Sequence, residues 1–274
     1  MGKRVVVITG ASSGMGYATL EYLLLQGFIV YGLTRDISRL SEIEHKNFTP
    51  LNVDIGSQKS IDNAIAKIIQ KDKKIDVLLN NAGYGLVSSV EYFKEEEMLE
   101  EFNVNLFGLL RVTKSVIPHM REAKSGIIIN ISSFLGKVGL PLLTLYNASK
   151  YAVEGVTDSL RYELKPYNIR VHSILPGFFD TEFARSNLKT NDETFADSSA
   201  YRNLVEDLAP QIIEQINGGN SADEVAELIY TIIEDEKFPA RVTAGDKAKK
   251  FLAMRKELSD EDFERRVREY YGFE

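Results

Sequence analysis

Short apolar runs alternate along this chain with longer stretches whose apolar residues recur every three or four positions. Residues 5–9 (VVVIT) form a continuous β-branched run. Such a run reads as a strand buried on both faces, as in a parallel sheet. Residues 17–26 (YATLEYLLLQ) carry apolar positions at helical spacing and stop at Gly27. A second strand is expected over 28–34 and a third over 48–53, followed by an amphipathic helix over 60–70 with Ile61, Ile65, Ile68 and Ile69 on one side. Residues 75–79 read as a fourth strand. A long helix follows over 98–120, with Pro118 disturbing its last turn. Residues 126–131 give a fifth strand, 148–164 a helix that stops before Pro166, and 169–175 a sixth strand. Strands alternating with helices at this rhythm predict an α/β fold: a doubly wound parallel sheet of about seven strands with helices on both faces, in one domain over 1–274.

The pattern changes after residue 180. The stretch 180–220 is polar and broken, and it closes with Gly218 and Gly219. It follows a strand end, where α/β sheets bind ligands, so it reads as a substrate lid; the alternative is a surface excursion. Residues 221–234 predict a helix with Ser221 as N-cap and Glu224 at the capping-box position. The remainder, a C-terminal extension over 238–274, reads as two charged helices folding back on the body, their charges a solvated face.

Composition narrows the function classes. A chain of 274 residues, 44% hydrophobic and 27% charged, can bury a core without staples. It has no cysteine, which removes disulfides, thiolate metal sites and cysteine nucleophiles together. A net charge of −7 and the lack of a basic block argue against a nucleic-acid partner. The basic, then apolar start breaks at Gly10, too early for a signal peptide, and no window approaches the ~20 apolar residues of a membrane span. A soluble, cytoplasmic protein is therefore expected. His45, His119 and His172 share no ligand spacing, and HExxH, GxSxG and GxxxxGK[ST] motifs are absent, so no metal site is expected.

Two stretches carry candidate chemistry. TGASSGMG (9–16) lies between the first strand and the first helix. Its glycines at 10, 14 and 16 allow a tight turn and close approach of a pyrophosphate to the helix N-terminus. After the second strand come Thr34, Arg35 and Asp36. Arg35 can fork onto a 2′-phosphate, which favours NADP(H) over NAD(H); the alternative has Asp36 facing the ribose. The second stretch is 133–150, SFLGKVGLPLLTLYNASK, in which Tyr146 and Lys150 share a helix face one turn apart. An ammonium ~4–5 Å from a phenol, at an effective dielectric of ~20, favours the phenolate by about 3–4 kcal/mol, enough to bring the phenol down toward neutrality. Taken singly, Tyr–Lys at this spacing is a common surface pair, and Ser133 a common strand-end cap.

TGASSGMG, NNAG, NLFG, Ser133 with YNASK, and PGFFDT together resemble the short-chain dehydrogenase/reductase family, over about residues 3–181 and then loosely the remainder. GLPLLTLYNASKYAVEG and the long tail look most like its hydroxysteroid- and retinol-dehydrogenase-like branch. The resemblance implies a Rossmann-type fold and a catalytic set of Asn105, Ser133, Tyr146 and Lys150. Ser133, not its neighbour Ser132, lies at the family's spacing from the tyrosine. In this set the tyrosine is the general acid/base, and the asparagine holds a water against the lysine. The cofactor contacts it implies are Gly10, Ser12, Ser13, Gly14, Met15 and Gly16 of the turn. Arg35, Asp54, Asn81, Ala82, Gly83, Tyr146, Lys150, Pro176, Gly177 and Thr181 complete that group. Met15 departs from the family's frequent isoleucine, which alters packing only. The expected activity is hydride transfer between NADP(H) and a small-molecule ketone, aldehyde or secondary alcohol; the alternative is a catalytically silent NADP(H)-binding sensor or scaffold. Leu140, Leu142, Leu143 and Phe179 fit an apolar substrate pocket or, equally, part of the core. The family's usual association surface would lie on the helices at 98–120 and 148–164, implying a homodimer or homotetramer.

Overall fold

The computed structural model describes residues 3–181 and 187–273. Among them, seven strands form one parallel sheet: β1 (Val5–Thr9), β2 (Ile29–Thr34), β3 (Phe48–Asn52), β4 (Val77–Asn80), β5 (Gly126–Ile131), β6 (Ile169–Pro176) and β7 (Arg241–Ala244). Their spatial order is β3-β2-β1-β4-β5-β6-β7. The order of addition reverses between β1 and β4, and a crevice opens there beyond the carboxyl ends of the strands. Val6 of β1 pairs in register with Val30 on one side and Val77 on the other.

Alternation along each strand feeds two cores. Val6 and Ile8 pack with Leu20 and Leu23 of α1 (Gly14–Leu25) and with Val225 and Ile229 of α7 (Ala222–Glu234). Val5 and Val7 pack on the opposite face, against Ile61 and Ile65 of α2 (Gln58–Asp72) and Val112 and Val116 of α4 (Leu109–Ala123). A strand covered on both faces has no solvated side, which is why its sequence shows no polar alternation.

The helix expected over 98–120 is three pieces in line. α3 (Glu95–Phe102) leads into a π-helical turn (Asn103–Gly108), and that turn leads into α4. α4 runs on through Pro118 to Ala123, because Val116 and Met120 are buried on either side of the proline and hold the helix to the sheet. α5 (Thr144–Leu164) begins four residues earlier than expected, which puts Tyr146 in its first turn.

The seventh strand lies inside the stretch read as a C-terminal extension. β7 is a four-residue edge strand, RVTA, and an edge needs no long apolar run. Arg241 at its start pairs with Glu154 and Asp158 of α5. The rest of that stretch is α8 (Asp246–Glu257) and α9 (Asp260–Tyr271), as expected.

Much of 180–220 is more regular than its polarity suggested; the part of the expected lid over 182–186 lies outside the described residues. Leu188–Thr190 pairs with Gly85–Val87, and Asn220–Ser221 pairs with Phe179–Asp180. Between them runs α6 (Arg202–Asn217), with Val205, Leu208, Ile212 and Ile216 buried at helical spacing between charged residues. Ser221 caps α7 by accepting from the Asp223 amide. Glu224 does not return to the cap; it accepts from Asn220 and from the Gly245 amide, tying α7 to the start of α8. A third apolar cluster stands beyond the strand ends, where Phe134, Leu142, Leu143 and Phe178 meet Ile212, Phe251 and Tyr271.

Candidate active site

A cleft of about 480 Å³ lies at the carboxyl ends of β1, β4, β5 and β6. Of the residues singled out from sequence, Gly10, Ser12, Ser13, Gly14, Met15, Arg35, Asp54, Asn81, Ala82, Gly83, Ser133, Tyr146, Lys150, Pro176, Gly177 and Thr181 all line it. Gly16 and Asn105 do not; they stand behind its wall and shape it.

Gly16 illustrates that role. A Cβ there would fall 2.4 Å from both Asn81 Nδ2 and the Gly10 carbonyl oxygen. Asn81 Nδ2 donates to the carbonyls of Thr9 and Gly10, and Thr9 Oγ1 accepts from the amides of Asn81 and Ala82. The turn after β4 is thus latched onto the turn after β1, and Gly16 is glycine because of this internal approach rather than an approach to ligand. Ser13, extended at the start of α1, makes no side-chain cap hydrogen bond. The first amides of α1 are therefore not capped by Ser13, at the position where a helix N-terminus receives a phosphate.

At the other side of the turn, Asp36 is already committed. Its Oδ1 accepts from the amide and hydroxyl of Ser38, and these hydrogen bonds hold its carboxyl below the usual range. Asp36 therefore caps the 3₁₀ turn Ile37–Leu40. Arg35 and Arg39 both reach the cleft at this end, together with Ser12. Two guanidinium groups and a hydroxyl suit a phosphate monoester better than a bare ribose diol. Asp54 lines the cleft nearby and accepts from the Gly56 amide at 2.8 Å.

The opposite end holds the candidate reacting groups. Ser133 and Tyr146 line the cleft together, and Ser133 acts on the phenol as a hydrogen-bonding neighbour that favours its ionised form. Ser133 Oγ also accepts from the Leu135 amide at 3.1 Å, capping a short 3₁₀ turn. Ser132 Oγ is buried and makes no hydrogen bond among the described residues; a Cβ on Gly136 would stand 2.9 Å from it. The two serines thus point to different places, and Ser133 is the one at the phenol. Lys150, only 5% exposed, donates to the Ile131 carbonyl at 3.0 Å, with its Nζ 5.6 Å from the centre of the Tyr146 ring. Asn105 sits in the π-helical turn. Its Oδ1 accepts from the Tyr84 amide, and its Nδ2 donates to the Tyr84 carbonyl and to Ser149 Oγ. Gly83 lies between Asn105 and the lysine: a Cβ there would stand 3.1 Å from Asn105 Oδ1 and 3.6 Å from Lys150 Nζ.

The electrostatics correct one expectation. Lys150 does not by itself draw the phenol toward neutrality. Burial pushes the Tyr146 phenol up and outweighs the Ser133 hydrogen bond that pulls it down, and the neighbouring Glu101 adds to the rise. Burial likewise pushes the Lys150 ammonium down to about 8, against the pull of Glu101 and Glu154. A dry pocket disfavours both charged forms at once, so the cation meant to stabilise the phenolate is itself weakened.

Glu101 was not singled out from sequence. It is fully buried on α3, its Oε1 accepts from the Leu86 amide at 3.2 Å, and burial raises its carboxyl to about 8 despite Lys150 and Lys189. Its only sequence signal is its place one helical turn before Asn105, in a run of acidic residues that reads as a solvated face.

The family model for short chain dehydrogenase matches residues 4–192. A 3-ketodihydrosphingosine reductase of Bacteroides thetaiotaomicron is 40% identical over 203 residues, covering 72% of this chain and 74% of that protein. A short-chain dehydrogenase structure from Streptomyces avermitilis superposes with a TM-score of 0.83 at 30% identity, covering 92% of each chain. One from Burkholderia cenocepacia, solved in complex with NADP, gives a TM-score of 0.73 at 27% identity, again covering 92% of each.

Proposed function

The chain belongs to the short-chain dehydrogenase family, and from that premise we propose that it is an NADP(H)-dependent oxidoreductase interconverting a carbonyl group and an alcohol. The observation that carries this reading is the convergence of Ser133, Tyr146 and Lys150 at one end of a cleft whose other end is a glycine turn flanked by Arg35 and Arg39. The NADP complex of the Burkholderia cenocepacia relative supports the cofactor assignment.

The uncapped start of α1 and Ser12 would hold the pyrophosphate region, Arg35 the 2′-phosphate, and Asp54 with Asn81, Ala82 and Gly83 the adenosine. Pro176, Gly177 and Thr181 would flank the nicotinamide, which supplies or accepts the hydride when bound. In reduction, Tyr146 Oη would give its proton to the substrate's carbonyl oxygen, so that the product is the neutral alcohol. Ser133 Oγ orients the same oxygen. A phenol that burial keeps protonated suits this direction at neutral pH. Lys150 supplies positive charge behind the phenol. Asn105 supports the backbone beside Lys150 and, by its resemblance to the family's asparagine, holds a water there.

The substrate class follows from the apolar lining of the cleft, most of it from the third apolar cluster. Phe134, Leu143, Phe178 and Phe179 line the cleft beside Tyr146, and α6 adds Ile212 and Ile216. We infer a ketone or secondary alcohol with an apolar body, of the kind handled by the hydroxysteroid- and retinol-dehydrogenase-like branch. A long-chain keto compound, as in the name of the Bacteroides thetaiotaomicron relative, fits the same lining. Among the described residues no helix is long and apolar enough to cross a membrane. Leu99, Phe107, Leu110 and Tyr151 are exposed on α3, the π turn, α4 and α5, which supports association through that face as a homodimer or homotetramer. Light scattering behind gel filtration measures that state. Loss of NADPH absorbance with a panel of aliphatic, steroid and retinoid carbonyl compounds tests the activity; binding of NADPH without turnover on any of them would favour a sensor instead.

A further inference from the structure

We propose that Glu101 is a positioning residue for the proton-transfer pair: its buried carboxyl, locked onto the strand beside the cleft, governs the charge on Lys150 and the ease with which Tyr146 exchanges its proton. The inference rests on the hydride-transfer reading and adds to it a residue outside the Asn105, Ser133, Tyr146 and Lys150 set.

The geometry sets Glu101 apart from the other acids of α3. Glu95, Glu96 and Glu100 are exposed, whereas Glu101 is fully buried. One oxygen is used to hold the Leu86 amide; the other, Oε2, is buried and has no hydrogen-bond partner among the described residues. A buried carboxylate oxygen without a partner is costly unless the group is protonated or faces a cation. Glu101 and Asn105 are one helical turn apart and grip successive parts of the same segment, Leu86 and Tyr84. That segment adjoins Gly83, which separates Asn105 from Lys150.

The groups that bear on Glu101 come from each neighbouring element. Lys150 and Tyr146 belong to α5, Lys189 to the Leu188–Thr190 strand, and Tyr84 to the segment it grips. On its own side are Glu97, whose carboxylate receives the Lys94 amide and Asn191, and Glu100, which pairs with Lys189. Lys189 is thereby shared with an exposed partner, and Lys150 is the remaining buried cation. When Glu101 is ionised it favours the ammonium of Lys150 and disfavours the phenolate of Tyr146. When it is protonated it does neither. Removing the charge therefore moves both neighbours the same way, toward losing their protons at lower pH.

The test is Glu101→Gln, which keeps an oxygen for the Leu86 amide and deletes the ionisable group. The alkaline limb of kcat/KM for carbonyl reduction is expected to move to lower pH by roughly 0.5–1 pH unit, with NADPH affinity unchanged. Glu101→Asp, which retains a carboxyl, should leave the limb nearer its wild-type position. A superimposable profile for Glu101→Gln would overturn the proposal. A readout independent of turnover is infrared titration of the wild-type protein from about pH 6 to pH 10, where ordinary carboxyl groups are already ionised. A carboxylic-acid C=O band that survives at neutral pH, fades on alkaline titration and is missing from Glu101→Gln is the expected result. Its absence from the wild type overturns the proposal even if the variant does not fold. If wild type turns over no carbonyl compound, the hydride-transfer reading fails, while the infrared titration still decides whether Glu101 carries the unusual proton.

Discussion

Lys150 holds its ammonium 5.6 Å from the centre of the Tyr146 ring and is anchored there by a 3.0 Å hydrogen bond to the Ile131 carbonyl at the end of β5. The anchor makes the lysine a fixed charge on the sheet rather than a mobile one on a helix. The site has little room to spare: Lys150 is almost fully buried, and a methyl group on Gly83 would already touch its Nζ. Lys150→Met should lower turnover by about 10²–10⁴-fold, the range expected when a proton-transfer site loses a key member. Lys150→Arg should not restore it, because a planar guanidinium cannot occupy the same slot. Steady-state kinetics of the two variants, with circular dichroism to confirm folding, checks both statements.

Gly16→Ala should destabilise the protein by about 1–3 kcal/mol, since the new methyl meets Asn81 Nδ2 and the Gly10 carbonyl inside a packed turn. The damage should reach cofactor binding, because the latch between the turns after β1 and β4 shapes that end of the cleft. Urea denaturation measures the first effect and NADPH fluorescence titration the second.

Arg35→Ala should weaken NADPH binding by roughly 10–100-fold, as expected for losing a charge-assisted contact worth about 1.5–3 kcal/mol. Binding of NADH, which lacks the phosphate, should change far less. Asp36 should not rescue an NADH preference, since its carboxyl is held by Ser38. Paired titrations with the two nucleotides read the difference.

Glu101 also ties stability to pH. Burial raises its carboxyl from the ordinary value to about 8, so between about pH 4.5 and 8 the folded state keeps a proton that the unfolded state has released. The favourable contribution of this group is present at acid pH and lost as the pH rises through that window. Relative to wild type, Glu101→Gln should therefore gain in thermal stability from pH 5 to about pH 8, and the gain should level off above it. Thermal melts of both proteins across that range record the trend.

The elements legible in the sequence were those whose burial is uniform. β1 and β5 are covered on both faces, and their apolar runs mark their limits. β7 was not legible because an edge strand of four residues, opened by an arginine that serves α5, carries no such run. α6 was hidden because its buried stripe of Val205, Leu208, Ile212 and Ile216 is diluted by charges and interrupted by Pro210. The site residues were legible through motif order, and most of them line one cleft. Glu101 was not, because burial of a single glutamate in an acidic helix depends on how α3 meets the Gly85–Val87 strand, a relation among distant segments that no local pattern encodes. The direction of the Tyr146 shift is not legible in the sequence for a similar reason: the spacing of Tyr146 and Lys150 shows their mutual attraction but not the desolvation that folding imposes on both.

The most direct measurement is turnover of Tyr146→Phe with NADPH and a carbonyl compound that the wild type reduces. The substitution removes one hydroxyl from a site where Ser133 and Lys150 remain. Turnover should fall by about 10²–10⁴-fold or more while NADPH binds nearly as tightly as before. Turnover close to the wild-type rate would contradict the assignment of Tyr146 as the proton donor.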